Sequence, residues 1–304
     1  ERLAYVSVTG GQEAIAESQR LTQYLRLKGA EEEQLSVQMI AKQMRLLVDQ
    51  VMGEGGMYAP EYAALALKQA EGDPAEAAFL IRAYRSTLPR NHYSCTVEPG
   101  QMRVLRRISS SFRDIPGGQM LGVTYDYTHR LLDFSLRNET KEQIRRLLRE
   151  YEQMIEAESA GDDEEADADE EADADAEADA NSVSSFVKVA DLLREQGLLE
   201  QTVRPAIEQK PFDITREKLT FPAERSARLQ ALARGETGAM VALAYSSMRG
   251  YGAVHPTIGE LRVGYVTVEI PYPYGDGGER VYIGEMLVTE VETINSFTQR
   301  ESSH

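Results

Sequence analysis

One run of residues limits how this chain can fold more than any other feature. Glu156 to Asp179 holds 14 acidic side chains and no basic one. Like charges at that density repel, and a mixture of Asp, Glu and Ala cannot bury enough apolar surface to offset chain entropy. Residues 156–181 are therefore expected to form a disordered acidic insertion on the surface. Ala and Glu favour helix, but the many Asp residues oppose a continuous one. The 304-residue chain is then read as a mainly helical part over 1–150 and an α+β part over 182–304. Leaving the run aside, the formal net charge moves from −17 to −3. The folded parts are nearly balanced, and no long basic stripe recommends a nucleic-acid partner.

Periodicity fills in the two parts. Tyr5–Val8 reads as a short strand ended by Gly10 and Gly11, with a helix from about Gln12. Val37, Ile40, Met44, Leu47, Val48 and Val51 recur at helical spacing, and Gly55-Gly56 stops them. Pro60 opens a helix rich in Ala and Leu. Asp73-Pro74-Ala75-Glu76 opens another, with a capping Asp and Pro at the first helical position. That helix is expected to turn Phe79, Leu80, Ala83 and Tyr84 to one side. Residues 91–128 read as irregular and glycine-rich, with a helix from about Thr128 through Leu148. Ser184–Gln196, Arg225–Arg234 and Gly238–Met248 read as further helices. Val263–Ile270 alternates, with Val266, Val268 and Ile270 on one face, and Val281–Ile294 is a second strand joined to it by a turn-rich connection. The fold class is α+β: an N-terminal helical layer, a central glycine-rich region, and C-terminal helices with an antiparallel strand pair. No apolar run approaches the ~20 residues a spanning helix needs, and the first residues lack a signal peptide's apolar centre. The single cysteine, Cys95, excludes an internal disulfide and fits a reducing cytoplasm.

The residues that suit chemistry concentrate in Asp114-Ile-Pro-Gly-Gly-Gln-Met-Leu-Gly-Val-Thr-Tyr-Asp-Tyr-Thr-His-Arg-Leu-Leu-Asp-Phe134. Gly117 and Gly118 free the backbone to approach a ligand. Tyr125 and Tyr127 flank Asp126, with His129, Arg130 and Asp133 close behind. A structural alternative is a tight turn followed by a helix with Leu131, Leu132 and Phe134 in the core. Arg103, Arg106 and Arg107 would share one face of a helix, where guanidinium forks suit a polyphosphate; the alternative is a solvated basic face. Arg249-Gly-Tyr-Gly-Ala-Val-His-Pro256 offers Tyr251 and His255 to a base or sugar, or is simply a helix-ending loop. Thr9-Gly10-Gly11 is a weak anion-binding signal. His92, His129, His255 and His304 show no ligand spacing, so no metal site is expected within the chain.

The chain resembles the PhnI family, a subunit of the bacterial carbon–phosphorus lyase core complex. The likeness rests on Tyr5-Val-Ser-Val-Thr-Gly-Gly11, Leu65-Ala-Leu-Lys-Gln-Ala70, Arg82-Ala-Tyr-Arg85, Arg106-Arg-Ile108 and the stretch 114–134. It continues through Ala242-Leu-Ala-Tyr-Ser246, Arg249-Gly-Tyr-Gly252, His255-Pro256 and Gly284-Glu-Met-Leu287. The resemblance implies a role in phosphonate breakdown, in which sister subunits and this one displace adenine from MgATP by an alkylphosphonate. The product is a ribose 1-alkylphosphonate 5-triphosphate. It further implies purine nucleosidase activity alone, a homodimer, and zinc at an interface with a partner subunit. The histidine pair associated with that zinc lies beyond the stretch that ends at His304, so its ligands are not expected here and the 182–304 part is expected to be shortened.

Displacement at C1′ of ribose passes through an oxocarbenium-like centre. The expected roles are Asp126 or Asp133 for charge stabilisation and His129 as the acid for the leaving base. Arg103, Arg106, Arg107 and Arg130 are the expected anion clamps, and Tyr125, Tyr127 and Tyr251 the stacking partners. Gly117, Gly118, Arg249 and His255 complete the expected substrate-binding set. The competing expectation is a scaffold that assembles sister subunits, favoured by small residues such as Ala63, Ala64, Ala66 and Ala70 on the helices.

Overall fold

Eight helices and three strands make up the computed structural model, which describes residues 11–29, 34–109, 112, 115–125, 128–162, 187–200, 212–235, 257–275 and 278–294. In chain order they are α1 (Gln12–Leu27), α2 (Val37–Gln43), α3 (Arg45–Gly55), α4 (Pro60–Gln69), α5 (Pro74–Thr87), β1 (Arg103–Ile108), α6 (Lys141–Asp162), α7 (Val189–Glu195), α8 (Arg225–Ala233), β2 (Thr257–Pro271) and β3 (Arg280–Ile294). The architecture is α+β, as the sequence predicts. The expected strand at Tyr5–Val8, the expected helix at Gly238–Met248 and most of the acidic run lie outside the described residues.

The helical layer forms where local signals agree. Asp73 caps α5 by accepting from the backbone N–H of Ala75 (2.8 Å) and Glu76 (3.1 Å). Gly56 ends α3 in the left-handed region, and the Gly56 and Met57 N–H groups both donate to Met52 O. The single helix predicted across Val37–Val51 is instead two, because Met44 leaves helical geometry (φ −109, ψ 42). The bend lays α2 on α4 and α3 on α4 and α5, so Ile40, Val48, Val51, Ala63, Leu67 and Ile81 join one apolar core. The buried side of α5 is Ala77, Ala78 and Ile81, not the predicted Phe79 and Tyr84, which are exposed. The cause is close approach. A Cβ on Gly55 would sit 2.5 Å from Ile81 Cγ2, and only small side chains fit where the two helices meet that tightly.

The three strands form an antiparallel sheet in the order β1-β2-β3. The β2–β3 pair is the one read from the sequence, extended at both ends. The strand β1 was not anticipated, since residues 91–128 read as irregular. The helix predicted from Thr128 is also absent. Residues 128–133 are irregular, a short 3-10 turn covers Phe134–Asn138, and α6 begins only at Lys141. A reciprocal cap fixes that start: Gln143 N–H donates to Thr140 Oγ1 (3.2 Å) and Thr140 N–H to Gln143 Oε1 (2.9 Å). Leu131, Leu132 and Phe134 are exposed, not core. The helix α6 runs on into the first residues of the acidic stretch, to Asp162. Against the inner face of the sheet, α7 packs Val189, Ala190 and Leu193 into a second core with Ile115 and Leu199.

Candidate functional site

The glycine-rich stretch is docked along β1. Ile115 O accepts from Gly118 N–H at 2.9 Å, closing a turn with Pro116 second and Gly117 third. Gly117 holds φ 85, as the third position of a Pro-Gly turn requires. Arg107 and Met120 then exchange backbone hydrogen bonds of 2.7 and 2.9 Å across the strand edge. At Gly122 (φ +61), a Cβ would lie 2.7 Å from Leu105 O, so the chain can follow the strand this closely only with glycine there.

The three arginines sit on a strand, not on one helix face. Val104 pairs with Gly264 and Arg106 with Val263, which leaves Leu105 as a bulge. The extra residue puts Arg103 (opposite Tyr265) and Arg106 (opposite Val263) on the outer face, and Arg107 (opposite Arg262) on the inner one. Arg103 Nη2 donates to Glu285 Oε2 at 2.8 Å, and its guanidinium lies 4.8 Å from the Tyr265 ring centroid. Arg106 Nη1 donates to Leu121 O at 3.1 Å, so it too borders the docked stretch.

Arg107 has a different job from the one expected. Its side chain is 0% exposed and pairs through Nε with Glu260 Oε1 at 2.6 Å, itself 1% exposed. Its Nη1 donates to Pro116 O (2.7 Å) and Gly118 O (3.0 Å), and its Nη2 to Val187 O (3.1 Å). The guanidinium therefore pins the Pro-Gly-Gly turn from beneath and is buried away from any ligand on the outer face. Glu260 Oε2 accepts from Val189 N–H at 3.0 Å, tying α7 to the same pair. Neighbouring inner positions continue the network: Arg262 pairs with Glu290, and Lys188 Nζ donates to Glu290 Oε1 at 2.5 Å. Burial pulls the Glu290 carboxyl up, but hydrogen bonds from Lys188 and Arg262 outweigh it and hold it below the usual range. Glu292, 3.8 Å from Lys188, is raised by burial, aided by Glu290 and Glu260.

Thr128 donates to Tyr125 O from both its N–H (3.1 Å) and its hydroxyl (2.8 Å). Tyr125, His129 and Arg130 are exposed, with Arg130 at φ 51. Asp133 caps the 3-10 turn. Hydrogen bonds from the Ser135 hydroxyl (2.6 Å) and backbone N–H (2.9 Å) lower its pKa, so it is ionised at neutral pH. Leu131 and Leu132 are 83% and 82% exposed, an open apolar margin beside these polar groups. Asp126, Tyr127, Arg249, Tyr251 and His255 lie outside the described residues.

The family described as "Bacterial phosphonate metabolism protein (PhnI)" matches residues 4–304 of this chain. The chain belongs to the PhnI family. It is 46% identical over 296 residues to HtxH of Stutzerimonas stutzeri, which is named as a C-P lyase subunit protein, covering 97% of this chain and 72% of that protein. It is 43% identical to the alpha-D-ribose 1-methylphosphonate 5-triphosphate synthase subunit PhnI of Escherichia coli (strain K12), with 96% and 73% covered. The protein of the same name from Rhizobium meliloti (strain 1021) is 39% identical, with 96% and 70% covered.

In this PhnI-family chain, then, sequence reasoning found the docked stretch but not what holds it. Glu260, Arg262, Glu290 and Lys188 went unnoticed because charged residues in a strand read as surface. The available signal was a charged residue at every other position of Glu260-Leu-Arg262 against apolar neighbours. Among the described residues, no three His, Cys, Asp or Glu side chains gather as metal ligands. No helix among them is long and apolar enough to cross a membrane.

Proposed function

We propose that this chain is a subunit of a carbon–phosphorus lyase system that transfers the ribose 5-triphosphate of MgATP onto an alkylphosphonate. What carries the reading is family membership together with the product in the names of its relatives. A ribose bearing a phosphonate at C1 and a triphosphate at C5 follows from a nucleoside triphosphate by exchange at C1. The glycosidic C–N bond breaks, a C–O bond to the phosphonate forms, and the base leaves with a proton.

The chain's own groups divide the work as follows. Asp133, kept ionised by Ser135, or Asp126 stabilises positive charge developing at C1. His129 donates the proton to the departing base. Arg106 and Arg130 hold anionic oxygens, with Arg103 beside them and shared with Glu285. Tyr125, Tyr127 and Tyr251 stack on the base, and Arg249 and His255 complete the pocket. Gly117 and Gly118 let the backbone come close. Arg107 serves by fixing the turn that carries this stretch.

A second reading has its own support. The open margin at Leu131, Leu132, Phe134 and Leu136 continues on α6 as Ile144, Leu147, Leu148, Tyr151 and Met154, all exposed and spaced along one helix face. Such a surface suits a subunit that works only when covered, by sister subunits or a second copy. One experiment separates the two: full-length chain is mixed with MgATP and methylphosphonate, alone and with its sister subunits, in a cytoplasm-like buffer, and free adenine is measured. Release by the chain alone supports autonomous catalysis. Release only in the assembly supports shared sites. If Asp126→Asn and Asp133→Asn both keep the full rate, the carboxylate role is wrong.

A further inference from the structure

A second cluster of charge lies away from the sheet, where the helical layer meets residues 212–235. Arg82 Nε donates to Glu54 O and its Nη2 to Arg234 O, both at 2.9 Å, and Arg85 Nη1 donates to Gly56 O at 3.1 Å. All three acceptors are backbone carbonyls, so they satisfy donors without neutralising charge. Asp213 is buried, and its two carboxyl oxygens are occupied. One takes Arg90, and the other takes the Thr215 N–H (3.0 Å) and hydroxyl (2.6 Å). Arg216 and Arg234 act on the same carboxylate electrostatically. Four guanidinium groups, those of Arg85, Arg90, Arg216 and Arg234, thus act on Asp213, with Arg82 beside Arg85 and Arg234. Adding the buried Glu54 carboxylate, which accepts from Gln50 at 3.0 Å, still leaves cations in excess.

That excess is strained. Burial pushes Arg85 and Arg234 below the ordinary arginine range, and the neighbouring arginines push them further than Asp213 restores. Against the cluster opens a cavity of about 420 Å³, lined by Arg85, Arg90 and Arg216 together with His92, Asn91 and Ser86. Asp213 is not among its lining residues, and no carboxylate is. Helix tethering accounts for Arg82 and part of Arg85. It does not account for Arg216, which is exposed at the cavity rim and whose guanidinium makes no hydrogen bond or salt bridge among the described residues.

We infer that this cavity is an oxyanion site, built to take the PO3 group of a phosphate or a phosphonate. Guanidinium forks match tetrahedral oxyanions in geometry and charge, and an anion here relieves the repulsion among Arg85, Arg90 and Arg234. None of these residues belongs to the C1 chemistry proposed above, and binding needs no turnover, so this site stands or falls separately.

The test is calorimetric titration of the full chain with methylphosphonate and, separately, with inorganic tripolyphosphate, at low salt. Wild-type chain is expected to bind at least one of them. Methylphosphonate alone marks a phosphonate site, and tripolyphosphate alone a phosphate-chain site. Arg216→Gln, which removes no internal tether, is expected to weaken binding about tenfold, the loss of one charge-assisted contact. Arg146→Gln, a charge change on α6 beside Glu150, is expected to stay within about twofold. Absence of binding to both probes overturns the site. So does an Arg216→Gln variant that binds like wild type, or an equal loss from Arg146→Gln.

Discussion

The helical layer and the sheet are both buried, yet they hold themselves together by opposite means. Between Val37 and Thr87 the helices meet through Ile, Val, Leu and Ala, and burial of apolar area is non-directional and tolerant of detail. On the inner face of the sheet, Arg107, Glu260 and Arg262 occupy buried positions alongside Val266 and the small apolar core under α7. A buried ion pair adds little net stability but demands that every partner be in place. The apolar core therefore supplies folding energy, and the ionic core supplies position. The docked glycine-rich stretch depends on the second.

This contrast is sharpest at Glu260. Glu260→Ala takes away the buried carboxylate that faces Arg107 Nε, and is expected to cost about 3–5 kcal/mol in chemical denaturation. Replacing both partners, Arg107→Met with Glu260→Leu, should recover most of that loss while the Gly118 amide exchanges faster, since Pro116 O and Gly118 O lose their donor. If the single change costs under about 1 kcal/mol, the sheet is not held by ions. In the helical layer, Leu67→Ala is expected to cost about 3 kcal/mol through the cavity it leaves, without affecting exchange at Gly118. Asp73→Ala, which removes the α5 cap, should cost about 1 kcal/mol by thermal or urea unfolding.

The smallest expected effect is with pH, and it is read most clearly in the charged regions. Glu290 and Asp213 titrate below their ordinary values of 4.5 and 3.8. Their contribution is present above those values and is lost as pH falls through the lower folded ones. Glu292 runs the other way: its pKa is raised, so its burial weighs against the fold as pH rises through the raised value. Urea midpoints measured from pH 3 to pH 6 should fall on the acid side, and Glu290→Gln should flatten part of that slope. An unchanged slope in that variant would remove Glu290 from the account.

How legible each region was follows from the same contrast. Helix starts and stops at Pro60, Asp73 and Gly56 were readable because capping is local chemistry. Thr140-Lys-Glu-Gln143 was equally readable as a reciprocal cap, and overlooking it moved the start of α6 back to Thr128. The strand β1 was not readable. Arg103, Arg106 and Arg107 satisfy a helical spacing, and only pairing with β2, far along the chain, makes them a strand with a bulge. The Pro-Gly-Gly turn was legible from its residues. Its anchor was not, because Glu260 gives no sign in sequence of which arginine it will meet.

Arg107 has one more consequence. The chain leaves its guanidinium at Gly118 and returns to it at Val187, so everything between, including α6 and the acidic run, is an excursion with both feet on one side chain. Closing such a loop grows dearer only slowly, by about 0.6 kcal/mol for each doubling of length. Lengthening, shortening or recharging that excursion is thus expected to cost the fold little, provided the arginine and its glutamate stay.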